Sequence, residues 1–379
     1  MNIGITCYPT IGGSGVVASE LGMALANAGH KVHFITYALP SRLDIGCKNL
    51  YYHEVSVPEY PLFEYAPYSL ALASNIANCA QEWKLDIIHA HYAIPHAASA
   101  ILARGIIGNN LKVITTLHGT DVTLVGRNPS FLPITRFTIE QSDCVTVVSE
   151  FLRNEVCEVF TCEKEISVIH NFVDPNEYKN LNPVDLKKTL APKGEKLLIH
   201  VSNFRPVKCV MDVFETFLAV KKAIPTRLIL VGTGPDLPML EHKAREKGVL
   251  EEIQLMGNRN SVKDLLAAAD ILLLTSRTES FGLVALEAMA AGTIPLTTHV
   301  GGLPEVIEHG VTGWMVPFGD TKTMADLAIK TLQESTLLKT MSQNAQHRAF
   351  DKFNIKSSLA SYERLYQQAI SSKKKASSF

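Results

Sequence analysis

At 379 residues the chain exceeds what one hydrophobic core usually organises, and about 100–200 residues per domain points to two domains. Hydrophobic residues make up 46% and mean hydropathy is +0.10, which supplies two cores and excludes a disordered chain. Thirty-six Lys and Arg against 37 Asp and Glu leave a net charge of −1, so no overall field draws in nucleic acid or a membrane, and a bound anion must be held by local groups.

The chain begins with a short β-branched run at 3–6 that leads into a Gly-rich turn. There is no basic segment followed by an apolar stretch, so no signal peptide is expected. Further short runs at 32–36, 87–90, 113–117 and 144–148 are separated by helix-length amphipathic segments. Residues 171–183 are rich in turn formers and poor in apolar periodicity, and the domain boundary is placed there. A second series follows at 197–202, 228–231, 253–256, 271–275 and 293–296, with helices expected at about 321–333 and 337–350. This divides the chain into an N-terminal domain, 1–170, and a C-terminal domain, 171–355. A final helix at about 356–370 can cap either domain and pack back on the first. Residues 371–379, with Lys373, Lys374 and Lys375 among serines, read as a flexible solvated tail.

Strand–helix alternation of this kind builds parallel sheets covered on both faces, here two doubly wound α/β domains. Such sheets bind ligands beyond the carboxyl ends of their strands, so the site is expected in a cleft where the two domains face each other. The longest apolar runs, such as 271–274, fall far short of the ~20 residues that span a bilayer. Seven cysteines, odd in number, scattered and without a C-x-x-C pair, suggest reduced thiols and a cytoplasmic protein.

Four segments carry chemistry. Gly12-Gly13-Ser14-Gly15 follows the first strand and opens a helix, where glycines let a backbone approach a phosphate or carboxylate. The next strand ends Ile35-Thr36-Tyr37 without the acidic residue of a nicotinamide-dinucleotide site, which disfavours that cofactor. A ligand-free tight turn is the alternative. Arg205 and Lys208, three apart after the first strand of the second domain, can reach one diphosphate, or stand solvated. The segment from Thr278 to Ala288 is the sharpest: Glu279 in a loop, Phe281-Gly282 at a helix start, and Glu287 on an apolar helix. A carboxylate there needs partners; ribose hydroxyls would serve, as would an internal salt bridge. His118-Gly119-Thr120-Asp121 closes a strand, so His118 suits sugar hydroxyls or a structural role. Val231-Gly232-Thr233-Gly234-Pro235 is a weaker Gly-x-Gly turn. His89, His91 and His96 lack Cys or acidic partners at ligand spacing, and no Asp-x-Asp occurs, so no metal site is expected.

With these residues in place, the chain resembles the large family of retaining glycosyltransferases typified by sucrose synthase and bacterial lipid mannosyltransferases. The signs are the Gly-rich first loop, Arg205 and Lys208, the pair Glu279 and Glu287, Val300-Gly301-Gly302-Leu303-Pro304-Glu305, and Gly310-Val311-Thr312-Gly313. The resemblance spans nearly the whole chain. It implies a GT-B fold of two Rossmann-like domains, with metal-independent catalysis and no cofactor beyond the sugar nucleotide. The stretches 7–18, 89–97, 118–126 and 171–174 are similar to the branch of that family that opens bacillithiol biosynthesis. That branch implies UDP-N-acetylglucosamine as donor and L-malate as acceptor, with no nucleic-acid partner and no membrane span; a homo-oligomer is compatible with it.

The resemblance also implies roles. Arg205 and Lys208 neutralise the diphosphate, and Phe281, Gly282 and Leu283 offer backbone N–H groups to sugar and phosphates. Glu279 holds sugar hydroxyls, Glu287 binds the ribose, and Gly13 approaches the donor. Asn258 and Arg259 begin the uracil pocket, and His118 contacts the sugar near its anomeric centre. Ser14, Tyr92, Thr120 and Arg136 are the acceptor candidates, with Arg136 facing a malate carboxylate. Three residues depart from the family pattern: Phe172 where Gly is usual, Thr233 where Asp is common, and Cys209 where a basic or polar residue is common. Cys209 beside the diphosphate raises the expectation of oxidation-sensitive activity.

Overall fold

The computed structural model describes residues 1–57, 61, 63–108, 111–161 and 164–372. Lys373 to Lys375, with most of the expected tail, and Cys162 lie outside the described residues. The backbone divides into two compact units, one formed by Met1–Asn171 together with the chain from Ile355 on, the other by Phe172–Asn354.

The first unit is built on seven strands: β1 (Asn2–Thr6), β2 (Lys31–Thr36), β3 (Leu50–Glu54), β4 (Ile87–His91), β5 (Lys112–Leu117), β6 (Cys144–Val147) and β7 (Ile166–Val168). Their order is β3-β2-β1-β4-β5-β6-β7 and every pairing is parallel. Ile3, Ile5, Ile87, Ile88, Val113 and Ile114 are fully buried because helices cover both faces, as an all-parallel sheet requires. Polar residues also lie inside this sheet. His89 is satisfied by the Tyr366 hydroxyl at Nδ1 (2.8 Å) and by Thr116 Oγ1 at Nε2 (2.7 Å). Tyr366 belongs to the final helix, Ile355–Ser371, which packs on this unit with Tyr362 and Tyr366 buried.

The second unit has six parallel strands: β8 (Lys196–Val201), β9 (Thr226–Val231), β10 (Ile253–Leu255), β11 (Ile271–Leu274), β12 (Ile294–Thr298) and β13 (Trp314–Val316). Their order is β10-β9-β8-β11-β12-β13. Its core joins Leu228, Leu230 and Leu273 of the sheet to Phe214 and Phe217 of the helix Val210–Ala223 and to Met324 and Ala328 of Thr321–Gln333.

Both sheets carry the doubly wound order, with strand order reversing between β1 and β4 and again between β8 and β11. Such a reversal splays the flanking loops apart and leaves a crevice at the carboxyl ends of the strands. Three strands, β3, β7 and β13, fall outside the runs expected from the sequence. β7 and β13 are three residues long, and β3 is a polar edge, Leu50-Tyr51-Tyr52-His53-Glu54, with no apolar run to mark it.

Candidate active site

In the second unit, the loops leaving β8 and β11 are stitched together. Thr275 Oγ1 donates to the carbonyls of Lys208 and Cys209, at 3.0 Å each, and Arg277 N donates to Val207 O at 2.8 Å. This brings two of the expected residues into contact. Lys208 Nζ bonds Glu279 Oε1, which also accepts from Ser276 Oγ at 2.8 Å. Arg205 is exposed beside them. Gly282 adopts φ 93° as the N-cap of the helix Leu283–Ala291, so the backbone N–H groups of that first turn stay free of a side-chain cap. The ring of Phe281 is buried edge-on against Phe353, which leaves only its backbone for a ligand. Glu287, on the second turn, is 6% exposed.

Packing gives the Val300–Glu305 motif its physical reason. A Cβ on Gly301 would meet Glu279 O at 1.9 Å, and one on Gly302 would meet Ser280 O at 2.4 Å. Gly302 N donates to Glu279 O at 2.9 Å, so this turn clamps the Glu279 loop from behind. Beyond β9 and β10, Thr233 Oγ1 donates to Asn258 Oδ1 (3.2 Å) and Arg259 Nε donates to Met256 O (3.0 Å). Thr233 thus engages the expected base-binding segment. Burial, followed by Asp212, raises the Cys209 thiol and disfavours the thiolate that oxidation requires.

In the first unit, Gly13 turns the chain with φ 60°, and Gly15 packs where a Cβ would lie 2.7 Å from both Tyr8 O and Thr10 O. Ser14 therefore starts the helix Ser14–Asn27 beside β1 and is 7% exposed. The Ser14 and Thr120 side chains are near enough to the Tyr92 hydroxyl to lower its pKa, but burial prevails and raises it to about 12. Three acceptor candidates thus meet at the β1/β4 crevice. Arg136 is elsewhere: its Nε donates to Glu140 at 3.0 Å, and it lines an open pocket with Glu140, Thr161 and Lys164.

His118 leaves β5 with Nε2 2.9 Å from Nδ1 of His91. Burial pushes its pKa down to about 3, so the imidazole is neutral at neutral pH. Asp121, to which the sequence alone assigns no role, organises this corner. One carboxylate oxygen accepts from His118 N (3.1 Å) and Gly119 N (2.8 Å), the other from Ala93 N (3.4 Å). The sequence carries no signal for this, since an Asp in a turn usually accepts from an N–H that follows it, whereas Asp121 accepts from two that precede it. Among the described residues no group of three His, Cys, Asp or Glu could hold a metal ion, and no helix is long and apolar enough to cross a membrane.

Residues 182–348 match the family model for glycosyl transferases group 1, and residues 11–177 match that for glycosyltransferase family 4. The N-acetyl-alpha-D-glucosaminyl L-malate synthase of Bacillus anthracis is 45% identical over 98% of this chain and 97% of its own. The chain belongs to this glycosyltransferase family. As a glycosyltransferase it shares its fold with Anabaena HepE solved with UDP and glucose (TM-score 0.82, 20% identity, 97% of this chain and 99% of that one). A glycosyltransferase from Rickettsia africae is similar to the same degree (TM-score 0.81, 20% identity, 98% and 99%). These likenesses establish the GT-B fold, with two Rossmann-like parallel-sheet units.

Proposed function

We propose that this glycosyltransferase moves N-acetylglucosamine from UDP-N-acetylglucosamine to the hydroxyl of L-malate with retention, giving α-linked N-acetylglucosaminyl malate, the first step of bacillithiol biosynthesis, and UDP. The observation that carries the proposal is 45% identity over nearly the full length to a relative named for that product. The second unit supplies the donor half. Arg205 and Lys208 take the diphosphate, the Leu283–Ala291 N-terminus offers N–H groups, Glu279 holds sugar hydroxyls and Glu287 the ribose. Asn258 and Arg259 flank the base. In the first unit His118 and Gly13 reach the sugar, while Ser14, Tyr92 and Thr120 receive malate.

Retention through a covalent intermediate needs a carboxylate beneath the anomeric carbon, as in retaining glycosidases. Glu279 is committed to Lys208 and Ser276 and to sugar hydroxyls, so the proposed course is substitution on one face. The bond from the anomeric carbon to the β-phosphate oxygen breaks while the malate oxygen bonds to the same face. The departing phosphate oxygen takes the malate hydroxyl proton. Positioning and stabilisation of the leaving diphosphate then carry the rate.

A second reading keeps the donor but uses a neutral acceptor. It is favoured by the pairing of Arg136 with Glu140 away from the Tyr92 cluster, which leaves a malate carboxylate without its cation. One assay separates the two. The enzyme is incubated with UDP-N-acetylglucosamine in excess EDTA, with L-malate, with inositol or with neither, and products are read by mass spectrometry and anomeric coupling. Malate-dependent α-linked product with stoichiometric UDP is expected. Product only with inositol overturns malate, and UDP release without any acceptor points to an epimerase or hydrolase.

A further inference from the structure

His91, the last residue of β4, is fully buried, and the proposed reaction assigns it nothing. Its Nδ1 lies 2.9 Å from His118 Nε2, with the two rings inclined by only 22°. Its Nε2 is buried with no hydrogen-bonding partner among the described residues. The neighbouring His89 cannot serve it, since both His89 nitrogens are taken by Tyr366 and Thr116. Burial keeps both His91 and His118 neutral, so each ring carries one proton, and the contact between them uses one of the two.

Two arrangements satisfy that contact. If His118 donates from Nε2, the proton of His91 must sit on Nε2, an N–H buried without an acceptor. If His91 donates from Nδ1, its Nε2 keeps only an unused lone pair. In folded proteins an orphaned buried N–H is the rarer case, an under-used buried acceptor the commoner one. The second arrangement therefore prevails, and the bond made by one nitrogen decides which other nitrogen bears the proton. His118 is left protonated at Nδ1. That atom has no hydrogen bond among the described residues, and the side chain is partly exposed.

We propose that His91 is a positioning residue that fixes His118 in its Nδ1–H tautomer, so that His118 presents a hydrogen-bond donor, not a lone pair, to an oxygen of the donor sugar. The use made of that N–H rests on the role given to His118 above; the tautomer itself does not. Asp121 complements it by fixing the His118 backbone, so ring and main chain are held by separate partners.

Long-range 1H–15N spectra of the 15N-labelled, ligand-free enzyme test the tautomer, with His118 signals assigned by their loss in His118→Gln. The Nδ1–H pattern is expected in the unmodified enzyme, and the Nε2–H pattern there overturns the proposal whatever the variants do. His91→Leu should move His118 toward Nε2–H. His91→Asn, which keeps an N–H donor near the place of Nδ1, should preserve the pattern. In turnover of UDP-N-acetylglucosamine, His91→Leu should lower kcat about 10–100-fold, by analogy with residues that orient metal-binding histidines, and His91→Asn should recover most of it. An unchanged kcat in a folded His91→Leu enzyme overturns the presentation of that N–H to substrate. If the unmodified enzyme turns over no UDP-sugar but shows the Nδ1–H pattern, the proposed reaction fails and the tautomer stands.

Discussion

Asp121 is 1% exposed, and burial raises its pKa to about 6 although three backbone N–H groups point at it. Replacing it by Ala strands those donors at about 1–3 kcal/mol apiece. Asp121→Asn keeps the oxygen that serves His118 and Gly119 and loses only the longer contact to Ala93. Urea midpoints should therefore fall far more for Ala than for Asn, and similar losses would refute this account. Lys208 presents a different case, because its partner Glu279 is itself assigned to the proposed site. Lys208→Ala should lower kcat at least ~100-fold, on the precedent of removing a group that stabilises a developing anion. Near-normal turnover would remove Lys208 from the leaving-group role. The sequence exposed Lys208 and Glu279 because charged residues stood beside turn signals at strand ends. It hid the roles of Asp121 and His91, whose partners are backbone N–H groups and a ring 27 residues away, pairings that leave no local pattern.

At the scale of elements, the glycines that matter are those against which another loop is pressed. Gly301 combines φ 57° with a Cβ position 1.9 Å from Glu279 O, so Gly301→Ala must push the Glu279 loop or unwind its own turn. A cost of about 1–3 kcal/mol is expected, with a kcat loss greater than that of a neutral surface change. Gly105→Ala, in the helix Ala98–Ile106, is the control, since nothing among the described residues lies within 4 Å of its added Cβ; it should leave turnover unchanged and not lower the melting temperature. Equal behaviour of the two variants would mean that the clamp is irrelevant. Long parallel strands were legible because burial on both faces writes a continuous apolar run. The Gly301-Gly302 pair was legible only as a family motif, because its reason is a contact with a loop about twenty residues earlier in the chain.

At the scale of the molecule, the histidines are unevenly shared. In the first unit, burial pulls His33 down to about 4, His89, His96 and His118 to about 3, and His91 well below its usual value. The second unit has one such residue, His200, lowered to about 4. Where a histidine is kept neutral by folding, the unfolded chain binds more protons below about pH 6.5, so stability is lost as pH falls toward the depressed value, by up to about 1.4 kcal/mol per pH unit per residue. Asp121 acts oppositely. Its raised pKa makes the folded unit the better proton binder between its ordinary value and about 6, so its contribution is lost as pH rises through that window. One such carboxyl does not offset six histidines, since burial lowers His53 of the first unit as well. The sequence counted 13 histidines but could not say which were buried, nor that the final helix closes over His89 through Tyr366. The consequence is testable because each unit holds one tryptophan, Trp83 in the first and Trp314 in the second. Emission maxima of Trp314→Phe and Trp83→Phe enzymes, followed from pH 7 to pH 3, report the two units separately. Wavelength is the better readout, since the His33 ring lies 5.0 Å from Trp83 and its charge would alter intensity. The Trp83 transition should come at the higher pH. A Trp314 transition that came first would show that buried histidines do not set the acid stability of this fold.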